Sequence, residues 1–176
     1  MLRIAPYGTK PDNDVPDWYR AMVGDESVKN LIPKWRTDPE DPRYARYFGD
    51  MIRAVARRYD GHPVLESVDL AIVGAWGEGA NAAALSEPTR RLLIDAYVEE
   101  FRKTPLIMLL TDEKSQKYAL SRRDVGWRVD CLGNMGGPRL FSHMLDRYPW
   151  IIIDYGMRDA WMKAPVSLEA CWVMQD

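Results

Sequence analysis

Val68–Gly74, which reads Val-Asp-Leu-Ala-Ile-Val-Gly, decides the fold, and it runs on into Ala-Trp-Gly-Glu at residues 75–78. A nearly continuous apolar run of this length is typical of a β-strand that is covered on both faces, as strands are in parallel sheets. Glycines stand on both sides of Glu78, and glycine allows a sharp turn of the backbone. We therefore predict a buried parallel strand that ends in a tight loop carrying Glu78.

Similar apolar runs predict four more strands, and helical periodicity predicts the segments between them. The other predicted strands are Leu2–Pro6, Leu106–Leu110, Gly126–Leu132 and Val166–Cys171. The predicted helices are a short one that Asp14 caps and Gly24 ends, then 42–59, 87–101, 113–123 and 139–147. Residues 150–163 fit either a strand or a helix, and their spacing of apolar residues favours a helix. Strands and helices thus alternate along the chain.

This alternation, without hairpin signals, indicates parallel βαβ units and hence the α/β class. Two architectures fit, a doubly wound sheet and a (β/α)₈ barrel. No glycine-rich nucleotide-binding motif follows any predicted strand, which removes support for nucleotide-binding members of the first architecture. A complete barrel needs about 250 residues, and the chain has 176. We predict an incomplete TIM (β/α)₈-type barrel of about five strand–helix units, forming one domain over residues 1–176.

Composition narrows the classes of partner. The net charge of −2 gives no basic footprint for nucleic acid, and no apolar run is long enough for a membrane span. Cys131 and Cys171 form no metal-binding motif, so a zinc site is not expected. The first residues lack the apolar stretch of a signal peptide, and the compartment stays open. Seven tryptophans and nine tyrosines suit both a packed core and a carbohydrate site, where an aromatic face packs against a sugar ring.

Barrel enzymes carry their sites at the carboxyl ends of the strands, and polar or aromatic residues follow each predicted strand here. In strand order they are Tyr7 and Trp35, then Trp76 and Glu78, then Asp112, Asp130 and Glu169. Asp112 also stands where a helix cap is expected, and Asp130 also has Arg128 or Arg3 as expected partners. No histidine is among them, which disfavours a Ser-His-Asp triad. Two facing carboxylates suit glycoside hydrolysis.

Several motifs resemble those of glycoside-hydrolase-like barrels related to clan A beta-galactosidases, a group that includes families described only as a domain of unknown function. The matching segments are Arg58-Tyr59-Asp60-Gly61, Val68-Asp69-Leu70, Gly74-Ala75-Trp76-Gly77-Glu78, Pro16-Asp17-Trp18, 126–133 and 160–166 with Glu169. The resemblance implies that Val68–Gly74 is strand four of eight and that the chain supplies strands three to seven. Glu78 would then be the acid/base and Glu169 the nucleophile. Gly77 departs from the pattern, because clan A enzymes usually have an asparagine there that holds the sugar 2-hydroxyl.

Three hypotheses follow. The first is a retaining, beta-galactosidase-like hydrolase of an oligo- or polysaccharide, with Glu78 and Glu169 as catalytic residues. Its predicted substrate-binding residues are Tyr7, Trp35, Trp76, Asp112, Asp130, Trp161 and Trp172. This glycoside hydrolase hypothesis implies no metal or other cofactor. The second is a carbohydrate-binding barrel without catalysis. The third is a structural barrel segment, which predicts that the two glutamates lie far apart or point outward.

Overall fold

A computed structural model describes residues 1–8, 15–24, 35–132 and 144–170. Its five strands form one parallel sheet in the order of the chain, curled like half of a barrel. The strands are β1 (Leu2–Arg3), β2 (Val68–Asp69), β3 (Leu106–Leu109), β4 (Gly126–Leu132) and β5 (Val166–Ala170). The α/β class and the parallel order predicted from the alternating pattern are therefore confirmed.

Within the described ranges, five α-helices connect or flank these strands. They are α1 (Asp17–Val23), α2 (Pro42–Tyr59), α3 (Glu87–Val98), α4 (Glu113–Arg122) and α5 (Met144–Asp154). Helix α2 begins as the sequence predicts, because the Asp41 side chain accepts the backbone N–H of Arg43 and Pro42 takes the first helical position. Its apolar stripe, which includes Phe48 and Ile52, is buried against α3 and the sheet. This helix thus forms one outer layer of the half-barrel.

The structure corrects several predicted boundaries. Pro16, not Asp14, occupies the N-cap position of α1, and Asp14 lies outside the described residues. The helix favoured over 150–163 is confirmed only as far as Asp154, because 150–154 belong to a single helix, α5, that begins at Met144 and continues through Pro149. The rest, 155–163, forms turns and a short 3₁₀ helix, Ala160–Met162. Of the predicted helix over 139–147, only the part from Met144 onward is described.

The predicted strand Val68–Gly74 pairs with its neighbours over only two residues. Beyond Asp69 the chain bends, since Ala71 N–H donates to the Asp69 carbonyl rather than to a neighbouring strand. One further parallel bridge, between Tyr7 and Ala75, joins the segments that follow β1 and β2. Residues 70–73 are nevertheless buried, because they still run through the core beneath the carboxyl edge of the sheet. Their apolar pattern reports this burial, not the extent of strand pairing.

Candidate functional site

The loop that follows β2 is a tight turn at the carboxyl edge of the sheet. Gly77 N–H donates to the Gly74 carbonyl at 3.0 Å, and Glu78 N–H donates to the Ala75 carbonyl at 3.1 Å. Trp76 has φ of +55°, a backbone conformation that is strained for any residue with a side chain and that is often found at functional sites. Its N–H donates to the Tyr7 carbonyl at 3.0 Å. The turn therefore holds Trp76 and Glu78 in fixed positions at this edge.

Gly77 has no room for a side chain. Its φ is +77°, and a Cβ atom there would lie 2.7 Å from the Cβ of Ala71 and 3.1 Å from the Cδ of Arg3. Its carbonyl accepts a hydrogen bond from Arg128 Nη2 at 2.9 Å. Packing thus requires glycine at the position where the resemblance leads one to expect asparagine.

A buried ion network lies directly beneath this turn. Asp69 Oδ2 accepts from Arg3 Nε at 2.7 Å and from Arg128 Nε at 2.5 Å, and both Asp69 and Arg128 are buried. Burial raises the pKa of the Asp69 carboxyl, and the charges of Arg128 and Arg3 act against that rise. Burial lowers the pKa of Arg128, but Asp69 and Asp130 outweigh it and raise that pKa. The raised pKa of Asp69 favours its protonated form, whereas the raised pKa of Arg128 depends on an ionised Asp69 beside it. We infer that Asp69 is ionised, because two guanidinium groups donate hydrogen bonds to one of its oxygens.

The same two arginines hold Asp130, which lies near the carboxyl end of β4. Arg128 Nη1 donates to Asp130 Oδ1, and Arg3 Nη2 lies 3.8 Å from the same oxygen. The Tyr148 hydroxyl donates to the backbone carbonyl of Asp130 at 2.7 Å. Both predicted partners of Asp130 are therefore present, and the residue has a fixed position at the edge.

Glu169 on β5 completes an acidic group with Asp130 and Glu78. The pKa of Glu169 is raised by desolvation, by a hydrogen bond with the Asp130 carboxyl, and by the charges of Asp130 and Glu78; the charge of Arg3 lowers it. A hydrogen bond between two carboxyl groups needs a proton on one of them. The fold thus brings three acidic residues from three different strand ends within electrostatic reach of one another.

The aromatic residues predicted to bind substrate have different surroundings. Tyr7 and Trp35 are buried and support the turn, since the Tyr7 hydroxyl accepts Gly74 N–H at 2.9 Å and the Trp35 indole donates to the Ala80 carbonyl at 3.0 Å. Only Trp76, 55% exposed, offers a ring face at this edge among these three.

Trp161 is 66% exposed but belongs to a short 3₁₀ helix that precedes β5. The neighbouring Lys163 lies 3.9 Å from Asp124, which precedes β4. Residues that precede parallel strands lie at the amino edge of the sheet, so the structure does not bring Trp161 to Glu78. Trp172 lies outside the described residues.

Asp112 caps a helix, which is the role that its place in the sequence predicts beside substrate binding. It is the N-cap of α4, where its Oδ1 accepts Ser115 N–H at 3.4 Å, and it lies 3.5 Å from Arg90 Nη1. Burial raises its pKa, and the hydrogen bond from Ser115 and the charge of Arg90 oppose this. Arg90 is itself buried and donates to the carbonyls of Ala82 and Leu85. These contacts fix the loop that follows the Glu78 turn.

Sequence reasoning missed the role of Asp69 as the centre of the ion network. A signal for it exists, because Asp69 is a charged residue inside an apolar strand, where an unpaired charge would be costly. This cost predicts a buried partner for Asp69, although the identity of that partner, Arg128, depends on the fold.

An aromatic groove of about 750 Å³ opens beside the turn, between α1, α2 and the segment that follows β1. Trp18 and Trp76 both line it, and each is 55% exposed. Trp18 makes an edge contact with Tyr47 at 5.2 Å between ring centroids. No charged side chain is among the described residues that line the groove. Of the rings in this lining, the sequence predicted only Tyr7 and Trp76 as substrate-binding residues, and it predicted neither Trp18 nor Tyr47.

The acidic residues do not form a metal-binding group within the part of the chain that the structure describes. Over the same residues, no helix is long and apolar enough to cross a membrane. Comparisons with family models, with curated proteins and with solved structures gave no match. An inference about function therefore depends on the geometry of the carboxyl edge.

Proposed function

We propose that the chain is a retaining glycoside hydrolase of the beta-galactosidase-like type that acts on an oligo- or polysaccharide. Its sheet would then be strands three to seven of a TIM (β/α)₈-type barrel. The observation that supports the proposal is the placement of Glu78 and Glu169 at the carboxyl edge of one sheet, where the charge of Glu78 contributes to the raised pKa of Glu169. The two residues therefore lie within electrostatic reach of one another, although 91 positions separate them in the sequence.

In this mechanism Glu78 protonates the leaving oxygen and later removes a proton from water, while Glu169 attacks the anomeric carbon. Attack requires the ionised form of Glu169. Arg3 favours that form, whereas Asp130 and Glu78 favour the protonated one. When Glu169 becomes part of the glycosyl ester its negative charge disappears, which relieves its repulsion with Asp130. Asp130 would thus favour the covalent step once Glu169 is ionised. A carboxyl separation of ~5–5.5 Å between Glu78 and Glu169 stays a prediction of this mechanism.

The test is hydrolysis of a panel of 4-nitrophenyl glycosides by the protein, by Glu78→Gln and by Glu169→Gln. Loss of a positioned acid/base typically costs about 10²–10⁴-fold in rate, so both variants should fall at least about 100-fold. Glu113→Gln is the matched control, because Glu113 is an exposed glutamate whose contact is a surface pair with Lys117 at 2.6 Å. Turnover that is equal in all four proteins, or absent from the unsubstituted protein across the panel, would refute the proposal.

A second candidate is a carbohydrate-binding barrel without catalysis, and Gly77 favours it. Because a Cβ at this position would overlap Ala71 and Arg3, residue 77 cannot supply the contact that an asparagine makes with the sugar 2-hydroxyl in clan A enzymes. Calorimetric binding of an oligosaccharide that the protein does not hydrolyse would support this candidate over the first.

A further inference from the structure

The aromatic groove is continuous with the turn that carries Glu78. Trp76, two residues before Glu78, forms part of its lining, and so does Tyr7, whose carbonyl accepts the Trp76 N–H. Trp18 on α1 and Tyr47 and Met51 on α2 also line the groove. The volume of about 750 Å³ is within the range of roughly 300–1,000 Å³ for small-molecule sites.

The lining indicates which chemical class would bind. Its polar groups are backbone atoms and tyrosine hydroxyls, and the described lining has no carboxylate, amide or cationic side chain. The Tyr7 and Tyr44 hydroxyls already bond to the backbone of Gly74 and Ile72, so the buried Tyr19 hydroxyl is the one without a hydrogen-bond partner among these three. A sugar ring needs hydrogen-bond partners for its hydroxyl groups, and burying them without partners is costly. An aryl or other apolar ring needs only stacking or edge contacts with aromatic faces, which this groove offers. The described lining therefore suits a largely apolar ring with few hydroxyl groups better than a sugar.

The position of the groove relative to the two glutamates gives the ligand a place in the reaction. A general acid protonates the leaving oxygen, so the leaving group lies on its side of the scissile bond. Trp76, which lines the groove, lies two residues before Glu78. Glu169 lies on β5, and β1 and β5 are the two edge strands of the described sheet. We propose that the groove binds an apolar, ring-containing aglycone, the leaving half of a glycoside whose sugar lies between Glu78 and Glu169. This inference rests on the proposed function for its orientation, but the apolar site itself does not depend on catalysis.

The test uses 2-naphthol as a probe of the groove, so that binding is measured without turnover. Titration calorimetry compares the unsubstituted protein with Trp18→Ala, Trp18→Phe and Met51→Ala. Trp150→Ala is the control, because Trp150 is an equally accessible tryptophan, 67% exposed, on α5. We expect Kd to rise about tenfold in Trp18→Ala, to rise less in Trp18→Phe and in Met51→Ala, and to stay unchanged in Trp150→Ala. Trp18 is more than half exposed, and thermal melting checks that the variant stays folded.

Binding that depends on Trp18 but not on Trp150 supports the apolar site even if no glycoside is hydrolysed, in which case the proposed function alone fails. If glycosides are hydrolysed, Trp18→Ala should raise KM for 2-naphthyl β-galactoside but not for methyl β-galactoside. Equal KM effects on both would overturn the aglycone assignment. Absence of 2-naphthol binding, or equal Kd in Trp18→Ala and Trp150→Ala, would overturn the site. A dimer that Trp18→Ala dissociates would instead assign the groove to a second copy of the chain, and it too would overturn the proposal.

Discussion

Replacing Asp69 by asparagine tests the ion network that supports the carboxyl edge. Asp69 accepts hydrogen bonds from Arg3 and Arg128 through a single oxygen, Oδ2. The substitution removes the negative charge and keeps the shape, so Arg128, only 2% exposed, loses its most deeply buried counter-ion. Removing one partner of a buried pair costs about 3–5 kcal/mol.

We expect the lower end of that range, about 3 kcal/mol, because Arg128 keeps two other contacts. These are Asp130 Oδ1 and the Gly77 carbonyl. A loss of this size is a large part of a total stability of roughly 5–15 kcal/mol. The double variant Asp69→Asn/Arg128→Met should be destabilised less than the sum of the two single variants, because it no longer buries an uncompensated charge.

Urea unfolding followed by tryptophan fluorescence measures these free energies. Lys117→Gln is the control, since Lys117 pairs with Glu113 on the surface and an exposed pair contributes only about 0–1 kcal/mol. If Asp69→Asn loses no more stability than Lys117→Gln, the network does not hold the edge together and the reasoning is refuted.

Three further predictions concern single positions. Gly77→Asn should destabilise the protein, in urea unfolding, by more than about 1 kcal/mol, because its Cβ would overlap Ala71 and Arg3; a neutral effect would contradict this packing. Arg90→Met should cost about 3–5 kcal/mol, because it leaves buried Asp112 and the Ala82 and Leu85 carbonyls without their donor, and an unchanged urea midpoint would contradict it. Glu169→Gln should affect stability in a pH-dependent way. The folded pKa of Glu169 lies above its ordinary value of 4.5, so ionisation is less favourable in the folded state and the carboxyl lowers stability as pH rises through that pKa. The variant should thus gain stability relative to the parent between pH 4 and pH 7, and an equal difference at both would exclude the raised pKa.

The main features of the fold follow from the sequence because they depend on local periodicity. The stripe of α2 repeats at helical spacing, and the capping residue Asp41 and Pro42 mark its start. Continuous apolar runs and the absence of hairpin signals indicate parallel strands. The length of pairing does not follow, since residues 71–73 are as apolar as a strand yet lie beyond the ladder, whose last hydrogen bond here runs from Leu70 N–H to the Ile107 carbonyl. Burial determines the apolar residue types both in the paired strand and in the buried segment that follows it, whereas backbone pairing does not.

The candidate site is predictable in part for a similar reason. The carboxyl ends of parallel strands share one edge, so the general location of Glu78, Asp130 and Glu169 follows from the order of the strands. The Asp69–Arg128 pair joins residues 59 positions apart, and no local pattern specifies it. The burial of Tyr7 and Trp35 and the exposure of Trp76 also depend on the conformation of the turn, which is set by three-dimensional packing.

The most direct test of the central claim, that Glu78 and Glu169 act together on a glycosidic bond, is trapping of the covalent intermediate. The protein is incubated with an activated 2-deoxy-2-fluoro-β-galactoside, digested with trypsin and measured by mass spectrometry. We expect one added sugar mass on the peptide 164–176, which contains Glu169, and no added mass in Glu169→Gln. The expected label should form more slowly in Asp130→Asn if Asp130 favours the covalent step. A label elsewhere in the chain, or none on peptide 164–176, would contradict the account.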